Sequence, residues 1–256
     1  MNLDGLDASI LAPAFVAGLV VLLTHIPLGR EVIKRGIIFI DLAIAQIAGL
    51  GVIIAYTLGW DQHGIEAQIA AVTSALIGAW VLSRLDAKYG HHQESLIGVS
   101  FILAATAGIL LLANNPHAGE HLSELLVGQI LWVEWSQLVY AAIVSATVLL
   151  VWIVHHDRIG STGFYILFAF AVTVSVQLVG VYLVFASLII PALATASMAT
   201  PRAMVVAAII GVLGYASGLV VSALIDLPSG AVIVWCIAIS AIVVTIVLRQ
   251  TSSQAA

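Results

Sequence analysis

A chain of 256 residues that is 62% hydrophobic and only 8% charged is excluded from the water-soluble globular class, whose members are about a quarter charged. Its formal charge of −5 is too small and too scattered for a nucleic-acid partner. One cysteine, Cys236, rules out an internal disulfide and any cysteine-built metal site within a single chain.

Apolar runs of about 20 residues, the length of helix that crosses a bilayer, recur from one end to the other. Unpaired backbone groups are costly in hydrocarbon, so spanning segments are helices or closed barrels, and these runs lack the alternating polar residues of barrel strands. The expected fold is all-α: a polytopic membrane bundle of about nine helices, one domain over 1–256, with the lipid bilayer as its solvent.

The first span, 9–29, follows Asp4 and Asp7 instead of the basic stretch of a secretory signal, and is read as retained. His25 lies near its inner end, two residues before Pro27. Such a ring either faces a polar pathway or hydrogen-bonds a carbonyl released by the proline. The second span, 37–57, carries Asp41 one turn in. A carboxylate there is a functional candidate, or an acid steadied by the helix N-terminus and by Lys34 or Arg35. Gln46, five residues on, is about 140° around the helix and does not share its face.

Spans at 67–83 and 96–113 follow, separated by the His91-His92 pair. Next comes Pro116 to Glu124. With Asn115 as cap and Pro116 as first residue, His117, His121 and Glu124 fall at i, i+4 and i+7 on one face. Two imidazoles and a carboxylate suit zinc; the alternatives are a solvated loop or a docking surface. A span at 136–154 leads to His155-His156. The stretch 164–198 is two short spans turning near Gly180, 164–179 and 183–198, or one long helix. Thr173, Ser175 and Gln177 are candidates for hydrogen bonds between helices, and Pro191 for a kink. The last spans are 203–224, with Gly211, Gly214 and Gly218 forming a small-residue face for packing within the chain or for dimerisation, and 231–248.

Basic residues decide the count. With two spans in 164–198, every Lys and Arg (Arg30, Lys34, Arg35, Arg84, Lys88, Arg158, Arg202 and Arg249) falls on one face of the membrane. By the positive-inside rule that face is cytoplasmic, the N-terminus is outside and the C-terminus inside. The other face carries Asp4, Asp7, Asp61, Glu66, Glu120, Glu124, Glu134 and Asp226, either an ordinary polar rim or a negative mouth that gathers cations.

Several stretches, in order, carry a family resemblance: Pro27-Leu28-Gly29 with a basic turn and Ala43 through Gly51; Glu94-Ser95-Leu96-Ile97-Gly98; Leu125 through Leu131; Val179-Gly180-Val181 with Leu188 through Ala196; and Asp226-Leu227-Pro228-Ser229-Gly230. Together they resemble the permease subunits of metal-chelate ABC importers for zinc, manganese and iron. The resemblance implies a type II ABC importer-like bundle in the cell (inner) membrane, paired with itself or a sister permease. It also implies an ATP-binding subunit on a separate chain and an extracytoplasmic metal-binding protein that delivers the ion. This chain would then be no enzyme and would hold no cofactor, only the transported ion, with zinc the first expectation.

Two departures stand out. The family usually carries an Asp and, four residues later, a His on the second span; the matching positions here are Leu42 and Gln46. The family's cytoplasmic segment that docks on the ATPase is reduced to 155–163, too short for the usual coupling helix. The expected path residues are therefore Asp41, Gln46 and His25, with His117, His121 and Glu124 at the outer mouth. The rival class is a secondary or passive transporter on the same scaffold without ATP. An intramembrane enzyme is disfavoured, since neither His-Glu-x-x-His nor Gly-x-Ser-x-Gly occurs.

Overall fold

The structure is a computed structural model that describes residues 7–61, 64–89, 92–113, 115 and 118–254. Among them are ten α-helices and no strand: α1 (Ala8–Arg35), α2 (Ile40–Thr57), α3 (Ile65–Tyr89), α4 (Gln93–Leu112), α5 (Ala118–Val127), α6 (Trp135–His155), α7 (Ser161–Val179), α8 (Val181–Ala194), α9 (Thr200–Ile225) and α10 (Ser229–Gln254). Eight of these are long and apolar enough to cross a bilayer, and α8 is a shorter apolar helix. The all-α membrane bundle read from the sequence is what forms.

Helix ends follow local chemistry. Asp7 caps α1, accepting the Ser9 backbone N–H at 2.8 Å, which holds its carboxyl below the usual carboxylate range. At the other end Gly36 takes a left-handed conformation (φ 70°). The Ile37 N–H then reaches back to the Val32 carbonyl at 3.2 Å, and both of those side chains are buried. That pattern satisfies the orphan carbonyls and buries an apolar pair across the stop.

Contacts between helix ends fix the topology. The Arg30 guanidinium donates to the carbonyls of Thr195 (3.2 Å) and Met198 (3.4 Å), joining the end of α1 to the end of α8. Arg35 lies over the Phe164 ring at 4.3 Å, Ser161 donates to Asp86 at 2.7 Å, and Glu94 accepts the Phe39 N–H at 3.2 Å. One end of the bundle thus gathers the C-termini of α1, α3 and α8 with the N-termini of α2, α4 and α7. Trp152, near the end of α6, joins them edge-on to Phe164. The opposite end is marked by the Asn115 amide on the Tyr56 hydroxyl (3.2 Å) and by Gly128 against Val179 and Gly180. With α7 and α8 running in opposite directions, all eight Lys and Arg positions fall at the first end, hereafter the basic end.

The ambiguity at 164–198 resolves into two helices. Gly180 has φ 81°, a value that only glycine adopts freely, and it breaks the chain between α7 and α8. With 14 residues, α8 is about 21 Å long, short of the roughly 30 Å hydrocarbon layer. It tolerates this because protein surrounds it, and most of its residues are buried. Gly29 of α1 lies so close to the α8 backbone that an added Cβ would stand 3.2 Å from the Leu188 carbonyl carbon and from the Ala192 Cβ.

Three of the resemblance-bearing stretches meet in space. Gly128, which ends α5 with φ 72°, faces Gly180, where an added Cβ would come 2.6 Å from the Gly128 Cα. Gly230, opening α10, faces the Val127 carbonyl, 2.5 Å from where its Cβ would be. These close approaches seat the end of α5 on the α7–α8 break and on the start of α10.

The small-residue face of α9 serves the interior of the chain. A Cβ on Gly214 or Gly218 would fall 2.7 Å from Ile237 Cα or 2.6 Å from Ile233 Cα of α10, and Gly211 takes the Leu22 side chain of α1. Gly214→Leu or Gly218→Leu is therefore expected to force α9 and α10 apart at a cost of about 1–3 kcal/mol each. The change should be read as a lower melting temperature of the purified chain with its oligomeric mass unaltered; a dimerisation face would show the reverse.

Candidate functional site

On α2, Leu42, Gln46, Gly49, Ile53 and Tyr56 recur at i, i+4, i+7, i+11 and i+14 and so share one stripe. The structure gives this stripe a wall and a roof. Its upper part, Ile53 and Tyr56, lines a cavity of about 1030 Å3 that opens at the end opposite the basic residues, between α2, α3, α6 and α7 and under α5. The cavity carries amides and hydroxyls among its apolar walls, including Gln68, Thr73, Gln137 and Gln177, and no ionisable Asp, Glu, His, Lys or Arg among the described residues. Gln177 projects into it, exposed in a stretch of α7 that is otherwise buried. It makes no bond to a neighbouring helix, contrary to expectation, and Thr173 keeps a buried hydroxyl without a partner.

Below the cavity, Leu125 of α5 rests on Gly49, its methyl carbons 3.4–3.5 Å from where a Cβ would be. Gln46, one turn further along the stripe, is half-buried. The α5 helix thus places an apolar side chain between the cavity and Gln46.

Asp41 is 1% exposed, and neither carboxylate oxygen has a hydrogen-bond partner. The expected support from Lys34 or Arg35 does not form: Arg35 is held by Glu31 at 2.7 Å and by the Phe164 ring, and Lys34 is exposed. Nor does Asp41 cap α2: the N-cap residue is Phe39, which has no capping side chain, and its N–H goes to Glu94. An isolated buried ion costs several kcal/mol, and a helix N-terminus returns about 0.3–1 kcal/mol. A positive charge, in the form of a proton or a cation, is needed to close that gap. Glu94, from the first turn of α4, acts on Asp41 electrostatically; it is itself acidic and has one buried oxygen, Oε2, without a partner.

His25 is fully buried. Its Nδ1 pairs with the Val21 carbonyl at 2.9 Å and the Thr24 hydroxyl at 3.0 Å, while Nε2 has no partner. The missing N–H of Pro27 frees the carbonyl four residues back, that of Leu23, so the proline does not explain the bond that forms. His25 does not line the cavity. Asp41, Gln46 and His25 make no hydrogen bond with one another, and no group of three or more His, Cys, Asp or Glu able to hold a metal occurs among the described residues.

The outer cluster is described only in part. His117 lies outside the described residues; His121 and Glu124 fall within α5, but their side chains are likewise outside. His91 is also outside, whereas His92, His155 and His156 are exposed at the basic end, His156 edge-on to Trp152 at 4.7 Å. After α6 there is one 3-10 turn, His156–Arg158, before α7 opens at Ser161. The link is as short as the sequence implied, and no separate helix forms there.

Residues 7–162 and 157–248 match the ABC 3 transport family. The chain belongs to that family. Among relatives of this ABC 3 member, the manganese transport system membrane protein MntC of Halalkalibacterium halodurans is 30% identical over 251 residues, covering 90% of this chain and 84% of its own. The high-affinity zinc uptake system membrane protein ZnuB of Haemophilus influenzae is 27% identical over 248 residues, covering 89% and 93%. A solved structure of PsaBC from Streptococcus pneumoniae in complex with Fab is similar in fold, with a TM-score of 0.76 over 95% of each chain at 20% identity. Sequence reasoning reached the family and its spans but missed the buried, unpartnered Glu94 oxygen and the Leu125–Gly49 contact. Both depend on how α4 and α5 dock on α2, which no local pattern encodes.

Proposed function

We propose that this chain is the membrane-spanning subunit of an ABC importer for a divalent transition-metal ion. The observation that carries this reading is the family match over nearly the whole length, joined by relatives named for manganese and zinc transport. In this reading the basic end is cytoplasmic, the membrane is the cell's inner membrane, and the N-terminus is outside. An extracytoplasmic metal-binding protein delivers the ion near His117, His121 and Glu124. The ion then passes the neutral cavity, the Leu125–Gly49 contact and Gln46 as the bundle alternates access at an interface with a second permease copy or a sister subunit. A separate subunit hydrolyses ATP. Zinc suits the imidazole-rich mouth; a carboxylate route suits manganese.

A strain lacking the gene and complemented by it provides the test. Uptake of labelled zinc, manganese and iron is measured with the neighbouring ATPase intact and with its phosphate-binding lysine replaced. Restored uptake of one metal, lost with the ATPase variant, is the expected result; normal uptake of all three in the deletion strain would sink the reading. The short α6–α7 link favours a second reading, passive or secondary transport, in which uptake survives the ATPase variant.

A further inference from the structure

At the basic end, α2 and α4 begin side by side, tied by the Phe39 N–H donated to Glu94 Oε1 at 3.2 Å. The geometry points to a second, inner cation station built from the carboxylates of Asp41 and Glu94, taking a hard divalent ion of the manganese type. It rests on the importer reading above and adds to it a site, a residue and a preference among metals.

The argument starts from unmet chemistry. Asp41 is almost wholly buried and accepts no hydrogen bond at either oxygen. Glu94 uses one oxygen on the α2 backbone and leaves the other buried and unpartnered. A buried polar group without a partner is rare and calls for an explanation. Two ordinary explanations fail here. An internal ion pair is absent, because Arg35 is committed to Glu31 and Phe164. Helix capping uses Glu94 Oε1 on the Phe39 N–H; the backbone N–H groups of Asp41 and Leu42 lie near the Asp41 carboxyl but close no hydrogen bond to it. Three unpartnered carboxylate oxygens from two helices, brought to one place by the bond from the Phe39 N–H, two residues before Asp41, to Glu94, can supply part of a coordination shell that water or carbonyls complete.

Donor type sets the preference. Carboxylate oxygens without imidazole or thiolate suit manganese and similar hard ions better than zinc, which gains most from nitrogen and sulfur. Position sets the strength. The positive ends of two helices face the station and oppose a bound cation, so the site holds its ion weakly, as suits a last stop before release into the cell.

The test uses the purified full chain in lipid nanodiscs and reads Mn2+ binding from the loss of the free-ion magnetic-resonance signal. Wild type is expected to bind Mn2+ at a site that weakens by at least about tenfold in Asp41→Asn and in Glu94→Gln, where a charged ligand becomes a neutral amide. Glu94→Asp should retain it within a few fold. Because Glu94 is half-exposed, Glu94→Gln serves if Asp41→Asn fails to fold. Equal Mn2+ binding in wild type and Glu94→Gln overturns the station. So does a wild type that binds no Mn2+ while Asp41→Asn raises its melting temperature, the sign of a pair holding a proton. Unchanged binding in Glu94→Gln with ATP-dependent uptake intact would remove this station and leave the importer reading standing; loss of all uptake in wild type would do the opposite.

Discussion

Gly180→Val is expected to leave little correctly folded chain, and Gly128→Val the same. At Gly180 the backbone sits at φ 81°, where a branched side chain is strained, and the new Cβ would stand 2.6 Å from the Gly128 Cα and from the Val127 carbonyl carbon. Those neighbours are backbone and cannot rotate away. Left-handed strain of about 1–2 kcal/mol adds to an overpacking cost of about 1–3 kcal/mol or more, against a total stability of about 5–15 kcal/mol. The end of α5 would lift from the α7–α8 break, taking with it the roof of the cavity. Thermal unfolding of the purified variants checks this. A melting temperature within a few degrees of wild type would show that the crossing is not a fixed anchor.

The second large effect is on transport with the fold preserved. A leucine at Gly49 is expected to fill the stripe of α2 between the cavity and Gln46, because Leu125 already occupies van der Waals distance there. Uptake should fall sharply, because the added side chain stands in the path, while the melting temperature changes little. Shortening the opposing side chain should reopen the way, so Gly49→Leu with Leu125→Ala recovers most of the uptake lost by Gly49→Leu alone. A double variant no better than the single one would place the route elsewhere in the bundle.

The scaffold was legible because its signals are local. Long apolar runs identify spans, and eight basic residues sort them by side; Arg30, Arg84, Arg158 and Arg202 each stand where a helix begins or ends. The choice of two helices over one at Gly180 also followed from charge. The site was legible only in outline. Asp41 could be singled out as costly in hydrocarbon, but its isolation depends on Arg35 turning to Glu31 and Phe164, a rotamer choice made by the tertiary neighbourhood. His25 was tied to Pro27 by proximity in sequence, whereas its ring follows the ordinary helical carbonyl of Val21. Gln177 reads as helix-to-helix glue until α5 and α6 are seen to leave a cavity beside it.

The brevity of α8 bears on how the protein is made. A segment about 21 Å long falls short of the roughly 30 Å hydrocarbon layer, and one of the helices enclosing it, α10, is synthesised after it. Until α10 is made, the α7–α8 pair stands in the membrane with one flank open, and Arg30 has to find Thr195 and Met198 without that support. The packing around α8 is thus completed only once α10 has formed, and a chain stopped short of Ser229 is expected to leave the α7–α8 hairpin loosely held.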